Sequence, residues 1–260
     1  MKDLVSVRKK KAFIIDMDGV IYHGNVLLKG AVEFVEYLER EGKRYLFLTN
    51  SSERSPLELS QKLERLGIKV APDHFYTSAL ATASFLASQK PGGSAFVIGA
   101  PGLIQALYDA GFTMNNVNPD YVVVGESRGY SLEALEMAVS LVLKGARLIG
   151  TNPDISGPTE HGIVPACGSL VAPIELAAQK KAYFIGKPNP LMMRHGLRRL
   201  NSRREDTVII GDRMDTDIVA GVESEIETVL VLSGVTKIED ISGFPYHPTH
   251  IIEGVFEIPG

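Results

Sequence analysis

Carboxylates follow two apolar runs of the chain, in each case at the point where the run ends. The tetrad Asp-Met-Asp-Gly at 16–19 comes directly after the apolar run 12–15, and the acidic stretch 211–217 comes directly after the run 208–210. A short apolar run bounded by turn residues predicts a buried strand of a parallel sheet, and ligands of such sheets bind at the carboxyl ends of the strands. Carboxylates gathered at that edge repel one another unless a cation lies between them. The two clusters therefore predict one acidic, cation-binding site.

Asp16 is the candidate nucleophile of this site. A carboxylate can attack phosphorus and form an aspartyl-phosphate, which divides a difficult hydrolysis into two easier steps. A phosphate dianion repels such a carboxylate, since two unit charges about 4 Å apart interact with about 4 kcal/mol at an effective dielectric of 20. Oxygen ligands and phosphate favour Mg²⁺ as the compensating cation, and Asp212 offers a second carboxylate for it. Asp18 is spaced to protonate the leaving oxygen and then to deprotonate the attacking water.

An ordinary Asp-Gly turn is the alternative interpretation of residues 16–19, because Asp and Gly are both favoured in turns. The strand predicted before the tetrad and the second acidic cluster make this alternative the weaker one. A calcium loop does not fit, because Gly19 comes too early and the other loop ligands are missing.

Polar residues at two further strand ends predict a phosphate pocket. Thr49 and Asn50 end the second predicted strand and offer a hydroxyl, an amide and backbone N–H groups. Lys187 follows another strand-like run and supplies a positive charge suited to phosphate and to the charge that develops during its transfer. Asp217 is expected to open the helix after the second cluster, where it would support Lys187 or a metal-bound water.

Apolar runs alternate with amphipathic helical patterns along the chain, which predicts an α/β fold. Strands are expected at 12–15, 44–48, 95–98, 121–124, 147–149, 183–185, 208–210 and 228–232. Because the acidic clusters lie near the two ends of the sequence, they can meet only if the outer segments form one domain. We therefore expect a Rossmann-like, three-layer core domain with a parallel sheet, made of residues 1–78 and 183–260. Residues 79–182 would form an inserted α/β cap domain.

Composition sets the broad limits. A chain of 260 residues with 45% hydrophobic and 22% charged residues is ordinary for a soluble globular protein. The formal net charge of −4 gives no electrostatic reason to bind a nucleic-acid polymer or an anionic membrane. No apolar stretch approaches the ~20 residues of a membrane span. The single cysteine, Cys167, excludes an internal disulfide and predicts a cytoplasmic location. The oligomeric state stays open, and a homo-oligomer is compatible with these data.

Taken in order, these residues resemble the signature motifs of the haloacid dehalogenase superfamily of phosphohydrolases. The four matching motifs are residues 16–20, Thr49-Asn50, Lys187 and residues 211–217. The long insertion between the second and third motifs resembles the C2-type α/β cap of the NagD-like branch, which contains ribonucleotide monophosphatases and 4-nitrophenylphosphatase-like proteins. The Pro-Thr-Glu-His-Gly stretch at 158–162 is similar to the 4-nitrophenylphosphatase-like group.

The resemblance implies a role for each matching residue. Asp16 would be the nucleophile and a metal ligand, Asp18 would be the general acid/base and bind Mg²⁺ through its backbone carbonyl, and Asp212 would complete the metal site. The residues expected to hold or border the phosphoryl group are Asp18, Thr49, Asn50, Lys187, Arg213 and Thr216, with Asp217 in support. The expected substrate is a small phosphate monoester. A nucleoside monophosphate such as UMP is the first choice, and sugar phosphates or 4-nitrophenyl phosphate-type substrates are the alternatives.

Two other classes of function stay open. A phosphotransferase or mutase on the same scaffold would move the phosphate to another hydroxyl rather than to water. A signalling receiver module also places acidic residues, Thr and Lys around an aspartyl-phosphate. It is less favoured, because its acidic pair and phosphoacceptor lie on separate strands of a much shorter domain without an inserted cap.

Overall fold

The structure is a computed structural model, and it describes residues 4–159 and 162–259. Glu160 and His161 of the 158–162 stretch lie outside the described residues. No helix in the described ranges is long and apolar enough to cross a membrane.

Helices and strands alternate along the described chain, as the apolar pattern predicted. The α-helices are α1 (Val5–Lys9), α2 (Ala31–Arg40), α3 (Pro56–Arg65), α4 (Ser78–Gln89), α5 (Pro101–Asp109), α6 (Leu132–Leu143), α7 (Cys167–Ala178), α8 (Pro190–Arg199) and α9 (Val219–Glu223). The strands are β1 (Ala12–Ile15), β2 (Tyr22–His23), β3 (Val26–Leu27), β4 (Arg44–Thr49), β5 (Phe75–Thr77), β6 (Ser94–Ile98), β7 (Thr113–Met114), β8 (Tyr121–Val124), β9 (Arg147–Gly150), β10 (Ser156–Thr159), β11 (Gly162–Pro165), β12 (Tyr183–Phe184), β13 (Thr207–Gly211), β14 (Glu227–Val231) and β15 (His250–Ile252).

Contacts along the chain define two compact units. Within the described ranges, the core unit comprises residues 4–49, 59–76 and 187–259, and the inserted unit comprises the remaining residues up to 186. Residues 50–58 belong to the inserted unit although they precede α4 by some twenty positions in the chain. The unit boundaries thus differ from the segment limits expected from the sequence, and the action of the inserted unit as a cap stays a prediction.

The core unit is built on a six-stranded sheet with the strand order β15-β14-β13-β1-β4-β5. Strands β1, β4, β13, β14 and β15 run parallel. All four residues of β1 are fully buried, as expected of a strand covered on both faces.

Helices cover both faces of this sheet. On one face, Phe13 and Ile15 of β1 share a core cluster with Phe34 of α2 and Leu63 of α3. On the other face, α8 approaches so closely that a Cβ added at its Gly196 would lie 3.2–3.7 Å from side chains of β1 and β4. Gly221 gives α9 the same close approach to β13 and β14. This alternation confirms the Rossmann-like, three-layer α/β architecture.

The inserted unit has its own parallel sheet, with the strand order β12-β9-β8-β6-β7. Helices α6 and α7 pack their apolar residues against β8 and β9, and Cys167 lies buried in this cluster. Strands β10 and β11 form a separate antiparallel hairpin. The inserted unit is therefore an α/β domain with a hydrophobic core of its own.

Candidate active site

Asp16 lies at the carboxyl end of β1, in the middle of the core sheet. Ile15, the last residue of that strand, pairs with Ile210 of β13 and with Phe47 of β4. The backbone N–H of Asp16 donates to the carbonyl of Ile210 at 2.9 Å, which extends the parallel ladder by one residue. This register brings Asp16 beside Asp212, the first residue after β13, although nearly two hundred residues separate them in the sequence.

Three carboxylates form an acidic cluster at this sheet edge. One carboxylate oxygen each of Asp16, Asp212 and Asp217 lies within 4.8 Å of the others. Asp212 and Asp217 are buried, and the side chain of Asp16 is only 13% exposed. The predicted meeting of the two acidic stretches is thus observed.

Asp217 does not open the helix after β13, so this expectation was wrong. It lies inside a π-helical turn, Met214–Ile218, and α9 begins at Val219. In this wide turn the Asp217 carboxylate reaches back to accept a hydrogen bond from the backbone N–H of Arg213 at 3.3 Å. The turn therefore directs the carboxylate into the site.

Lys187 is the cation of this site. Its ammonium donates to Oδ1 of Asp16 and to Oδ1 of Asp217, each at 2.6 Å, and to the carbonyl of Leu48 at 3.1 Å. The residue is only 2% exposed. A solvated loop lysine, the alternative to a phosphate-site role, is thereby excluded.

Burial and neighbouring charges shift the pKa values of Asp16, Asp212 and Lys187. Burial raises the pKa of Asp16 to about 7, with Lys187 opposing the rise and Asp217 adding to it. Burial also raises the pKa of Asp212 well above its usual range, and the charges of Asp16 and Asp217 push it in the same direction. Burial alone would lower the pKa of Lys187, but the attraction of its two carboxylate partners outweighs this and raises it. One ammonium faces three carboxylates, so the site favours a further positive charge.

A loop after β14 holds Asp212 in place, and sequence reasoning gave its residues no role in the site. The backbone N–H of Val235 donates to Oδ2 of Asp212 at 2.7 Å, and the hydroxyl of Ser233 donates to the carbonyl of Gly19 at 2.7 Å. Gly234 packs directly on Asp212, so that an added Cβ would overlap its carboxylate. The sequence signals were the position of these residues after the predicted strand 228–232 and the resemblance of residues 229–235 to NagD-like proteins.

Gly19, like Gly234, packs directly against the carboxylate of Asp212. Its φ is +79°, in the left-handed region, and an added Cβ would lie 2.5 Å from Oδ2 of Asp212. Both the backbone conformation and the space therefore require glycine here. This explains the Gly of the Asp-Met-Asp-Gly tetrad.

Asp18 has different surroundings from the acidic cluster. Its side chain is 46% exposed, and Oδ1 lies 3.3 Å from Nδ1 of His23 on β2. Partial burial raises the pKa of Asp18, while His23, Lys62 and the backbone N–H of Gly24 counteract the rise. Asp18 is thus a carboxyl group available at the edge of the site, and His23 is a neighbour that sequence reasoning missed.

The remaining residues expected near phosphate differ in their burial and in their hydrogen-bond partners. Thr49 ends β4 and is buried, and the hydroxyl of Thr216 donates to Oδ2 of Asp217 at 3.3 Å. Asn50 begins the inserted unit. The guanidinium of Arg213 donates two hydrogen bonds to the carboxylate of Asp215, at 3.0 and 2.8 Å. A phosphate would therefore compete with Asp215 for Arg213.

Asn50 takes part in a polar network within the inserted unit. Its side-chain amide donates to Oδ2 of Asp154 at 3.0 Å, and its carbonyl accepts from Nδ2 of Asn152 at 2.8 Å. The hydroxyl of Ser78 also donates to this carbonyl. The backbone of Asn50 is therefore fixed from several sides.

The donor set fits a hard divalent cation. Carboxylate oxygens are the ligands that Mg²⁺ prefers, and it is commonly held by one or two of them together with substrate and water. Asp16 and Asp212 can supply these oxygens, whereas both oxygens of Asp217 already accept hydrogen bonds from Lys187, Arg213 or Thr216. Asp217 is accordingly suited to supporting Lys187.

Comparison with known proteins identifies the family. The profile of the haloacid dehalogenase-like hydrolases matches residues 13–113, and a HAD-hydrolase-like profile matches residues 184–258. A dihydroxyacetone phosphatase of Corynebacterium glutamicum is 44% identical over 95% of this chain and 90% of its own length. The ribonucleotide monophosphatase NagD of Escherichia coli K12 is 43% identical over 95% of this chain and 98% of its own length.

Solved structures agree with the sequence comparison. The crystal structure of a 4-nitrophenylphosphatase from Thermotoga maritima superposes with a TM-score of 0.93 at 33% identity, covering 97% of each chain. The chain therefore belongs to the haloacid dehalogenase-like hydrolases. Within that family it is NagD-like, and it is a phosphoric monoester hydrolase.

Proposed function

We propose that this phosphatase hydrolyses small phosphate monoesters through a covalent aspartyl-phosphate on Asp16, with nucleoside monophosphates such as UMP as the preferred substrates. The observation that carries the mechanism is the burial of the Asp16 carboxylate between the ammonium of Lys187 and the carboxylate of Asp212, at the carboxyl end of a central parallel strand. Such a group is a nucleophile in a site built for a cation and an anionic substrate.

In the first step, an Asp16 carboxylate oxygen attacks phosphorus as the bond from phosphorus to the ester oxygen breaks. Asp18 donates a proton to that oxygen, so the product leaves as a neutral alcohol. In the second step, Asp18 takes a proton from water, and the resulting hydroxide attacks phosphorus. This releases inorganic phosphate and regenerates Asp16.

Lys187 prepares the nucleophile for this reaction. Its two hydrogen bonds of 2.6 Å orient the carboxylates of Asp16 and Asp217, and its charge offsets part of the negative charge of the incoming phosphate. Thr49, Asn50 and Thr216 would contribute further donors to the phosphoryl oxygens. Arg213 would join them when it is released from Asp215.

Mg²⁺ is the proposed cofactor, held by the carboxylates of Asp16 and Asp212 and the backbone carbonyl of Asp18. When bound, the ion neutralises charge on the phosphoryl oxygens and on the cluster. The short bond from the Val235 N–H to Asp212 fixes one of these ligands. The ligand geometry would thus be set by the protein before substrate arrives.

The inserted unit is proposed to act as the cap that selects the leaving group. The similarity to a ribonucleotide monophosphatase supports nucleotides as substrates, and the similarity to a dihydroxyacetone phosphatase favours small sugar or triose phosphates as a second candidate. Broad activity on 4-nitrophenyl phosphate is the third. A cytoplasmic location, proposed from the single cysteine, suits all three.

Phosphate release from a substrate panel tests the proposal. The panel contains nucleoside monophosphates, sugar and triose phosphates and 4-nitrophenyl phosphate, each with Mg²⁺ and with EDTA. We expect Mg²⁺-dependent release, with UMP among the best substrates. Release that is unaffected by EDTA would refute the cofactor, and a ranking led by triose phosphates would replace the nucleotide preference. Phosphate moved to another hydroxyl would indicate a phosphotransferase, and a long-lived phosphoprotein without turnover would indicate a receiver.

A further inference from the structure

A short hairpin directly follows the catalytic tetrad and surrounds Asp18. Strands β2 and β3 pair as Tyr22 with Leu27 and His23 with Val26. The backbone N–H of Gly19 donates to the carbonyl of Tyr22 at 2.8 Å, which ties the tetrad to the first strand of the hairpin. The hairpin is thus anchored next to the carboxyl group that must deliver the proton.

Two groups of this hairpin contact the Asp18 carboxylate. Nδ1 of His23 lies 3.3 Å from Oδ1, and the backbone N–H of Gly24 also bonds to the carboxylate. Gly24 has a φ of +58°, so the chain reverses here in a left-handed turn. The side chains of Asp18 and His23 are 46% and 50% exposed, so packing alone does not fix either of them.

A half-exposed carboxyl group needs such contacts to act as a general acid. Its side chain has several accessible rotamers, and only those that direct an oxygen at the ester oxygen allow proton transfer. A partner that holds Oδ1 restricts the rotation of the carboxyl group. The contact therefore selects one orientation of Asp18.

We propose that His23 is a positioning residue that holds Asp18 for proton transfer to the leaving group. The inference rests on the proposed function, because it assigns Asp18 the general-acid role. His23 itself gains and loses no proton in this step. The proton passes from Asp18 to the ester oxygen as the phosphorus–oxygen bond breaks and the bond to Asp16 forms.

The dependence of the rate on the leaving group separates positioning from a merely structural role. A nitrophenolate departs without a proton, whereas an alkoxide needs one. The ratio kcat/KM reports only the steps up to the formation of the aspartyl-phosphate, where the leaving group departs. Both kinds of ester should therefore be compared in kcat/KM.

We expect His23→Ala to lower kcat/KM for an alkyl phosphate such as UMP by about 10-fold or more, which is part of the roughly 100- to 10,000-fold that general acid catalysis contributes, and for 4-nitrophenyl phosphate by less than about 3-fold. His23→Asn should restore much of the loss, because its Nδ2 occupies the same branch from Cγ as Nδ1 of histidine. Val26→Ala is the matched control, since Val26 lies opposite His23 in the hairpin and is 69% exposed. This variant should retain wild-type rates on both esters.

A double-mutant cycle gives a second readout. In an Asp18→Asn background, His23→Ala should cause no further loss with the alkyl phosphate, because the group that it positions is gone. Equal losses on both esters, or a full additional loss in the Asp18→Asn background, would overturn the inference while leaving the proposed function intact. Absence of Mg²⁺-dependent turnover by the wild-type protein would overturn both.

Discussion

At the scale of single residues, the site depends on an ammonium that serves two carboxylates at once. Lys187 bonds to Asp16 and Asp217 at the same distance; Lys187 and Asp217 are buried, and the side chain of Asp16 is 13% exposed. Such an arrangement is stable only while each charge has its partner, since a buried charge without one is strongly destabilising. The nucleophile and the supporting acid are therefore coupled through one side chain.

Replacing the nucleophile should separate catalysis from folding. We expect Asp16→Asn to reduce phosphate release by at least about 1,000-fold, because an amide does not form the covalent intermediate. The fold should persist, since the change removes one of three mutually repelling carboxylates. Circular dichroism and thermal unfolding serve as the control for folding. Near-normal turnover by a folded variant would contradict the covalent mechanism.

Replacing the ammonium should instead damage the fold. Lys187→Met leaves two buried carboxylates without their partner, and we expect a loss of about 3–5 kcal/mol in the free energy of unfolding. The double variant with Asp217→Asn should recover part of that loss, because it removes one of the uncompensated charges. Denaturant unfolding measures both values. An additive or larger loss in the double variant would show that the Lys187–Asp217 pair is not the source of the effect.

The sequence was sufficient to predict which residues at the ends of strands belong to the site. Asp16 and Asp212 follow apolar runs that form neighbouring parallel strands, and the carboxyl ends of such strands meet at one sheet edge. Lys187 also follows an apolar run, but that run forms β12 in the other sheet, so this rule does not explain its place in the site. The contacts of His23 and Val235 could not be predicted in this way, because they depend on how a hairpin and a loop fold back. No apolar period marks either of them.

At the scale of elements, the loop after β14 packs against Asp212 at Gly234. Gly234→Ala should displace the Asp212 carboxylate, because the added Cβ would occupy its position. We expect the Mg²⁺ concentration for half-maximal activity to rise by about 10-fold or more, as is typical when a group that supports a metal ligand is changed. Gly243→Ala is the matched control, as a Cβ there meets nothing within 4 Å and should leave the Mg²⁺ requirement unchanged. An unchanged requirement in Gly234→Ala would refute the role of this loop.

The inserted unit contains a partly buried carboxylate, that of Glu126, which connects its segments. Glu126 accepts hydrogen bonds from the backbone N–H of Ser52 at 3.0 Å and from Nδ2 of Asn152 at 2.5 Å, and the Ser52 hydroxyl also donates to it. Ser52 lies in the segment 50–58, far in sequence from the other two residues. Burial raises the pKa of Glu126, while these donors oppose the rise. The carboxylate thus joins the first segment of the unit to the ends of β8 and β9.

Removing this carboxylate should destabilise the inserted unit. Glu126→Ala leaves three buried donors without their acceptor, and we expect a loss of about 2–4 kcal/mol in the free energy of unfolding. The exposed Glu136 on α6 provides the control, because Glu136→Ala should change stability by less than about 0.5 kcal/mol. Denaturant unfolding with a probe in the inserted unit makes the comparison. Equal stabilities of the two variants would mean that the network contributes little.

At the scale of the whole molecule, folding gathers charges that repel one another. The core unit is assembled from three segments of the chain, and its folding creates the cluster of Asp16, Asp212 and Asp217. In the unfolded chain the carboxyl groups of Asp16 and Asp212 titrate near their ordinary pKa of 3.8, whereas burial raises the pKa of Asp16 to about 7 and that of Asp212 well above 3.8. Folding stability is therefore linked to protonation of the cluster.

The sign of this linkage determines how pH and Mg²⁺ act together. A carboxyl group with a raised pKa in the folded state stabilises the fold fully below its unfolded pKa, and this contribution is lost as the pH rises through the folded pKa. In EDTA, the cluster should therefore lower the Tm of the core unit progressively between about pH 4 and pH 7. Mg²⁺ binds the ionised carboxylates and so should raise the Tm more at about pH 7.5 than at about pH 5.

Calorimetry gives the Tm as a function of pH with Mg²⁺ and with EDTA. The difference between these two Tm curves measures the effect of Mg²⁺, because the contributions of other titrating groups are the same in both. Asp212→Asn is the informative variant, because it removes one like charge from beside Asp16 together with a proposed metal ligand. Its Tm in EDTA should fall less steeply with pH, and Mg²⁺ should stabilise it less. If the curves with Mg²⁺ and with EDTA coincide at every pH for the wild-type protein, the acidic cluster does not bind the ion, and the raised pKa values then reflect burial without a metal to offset it.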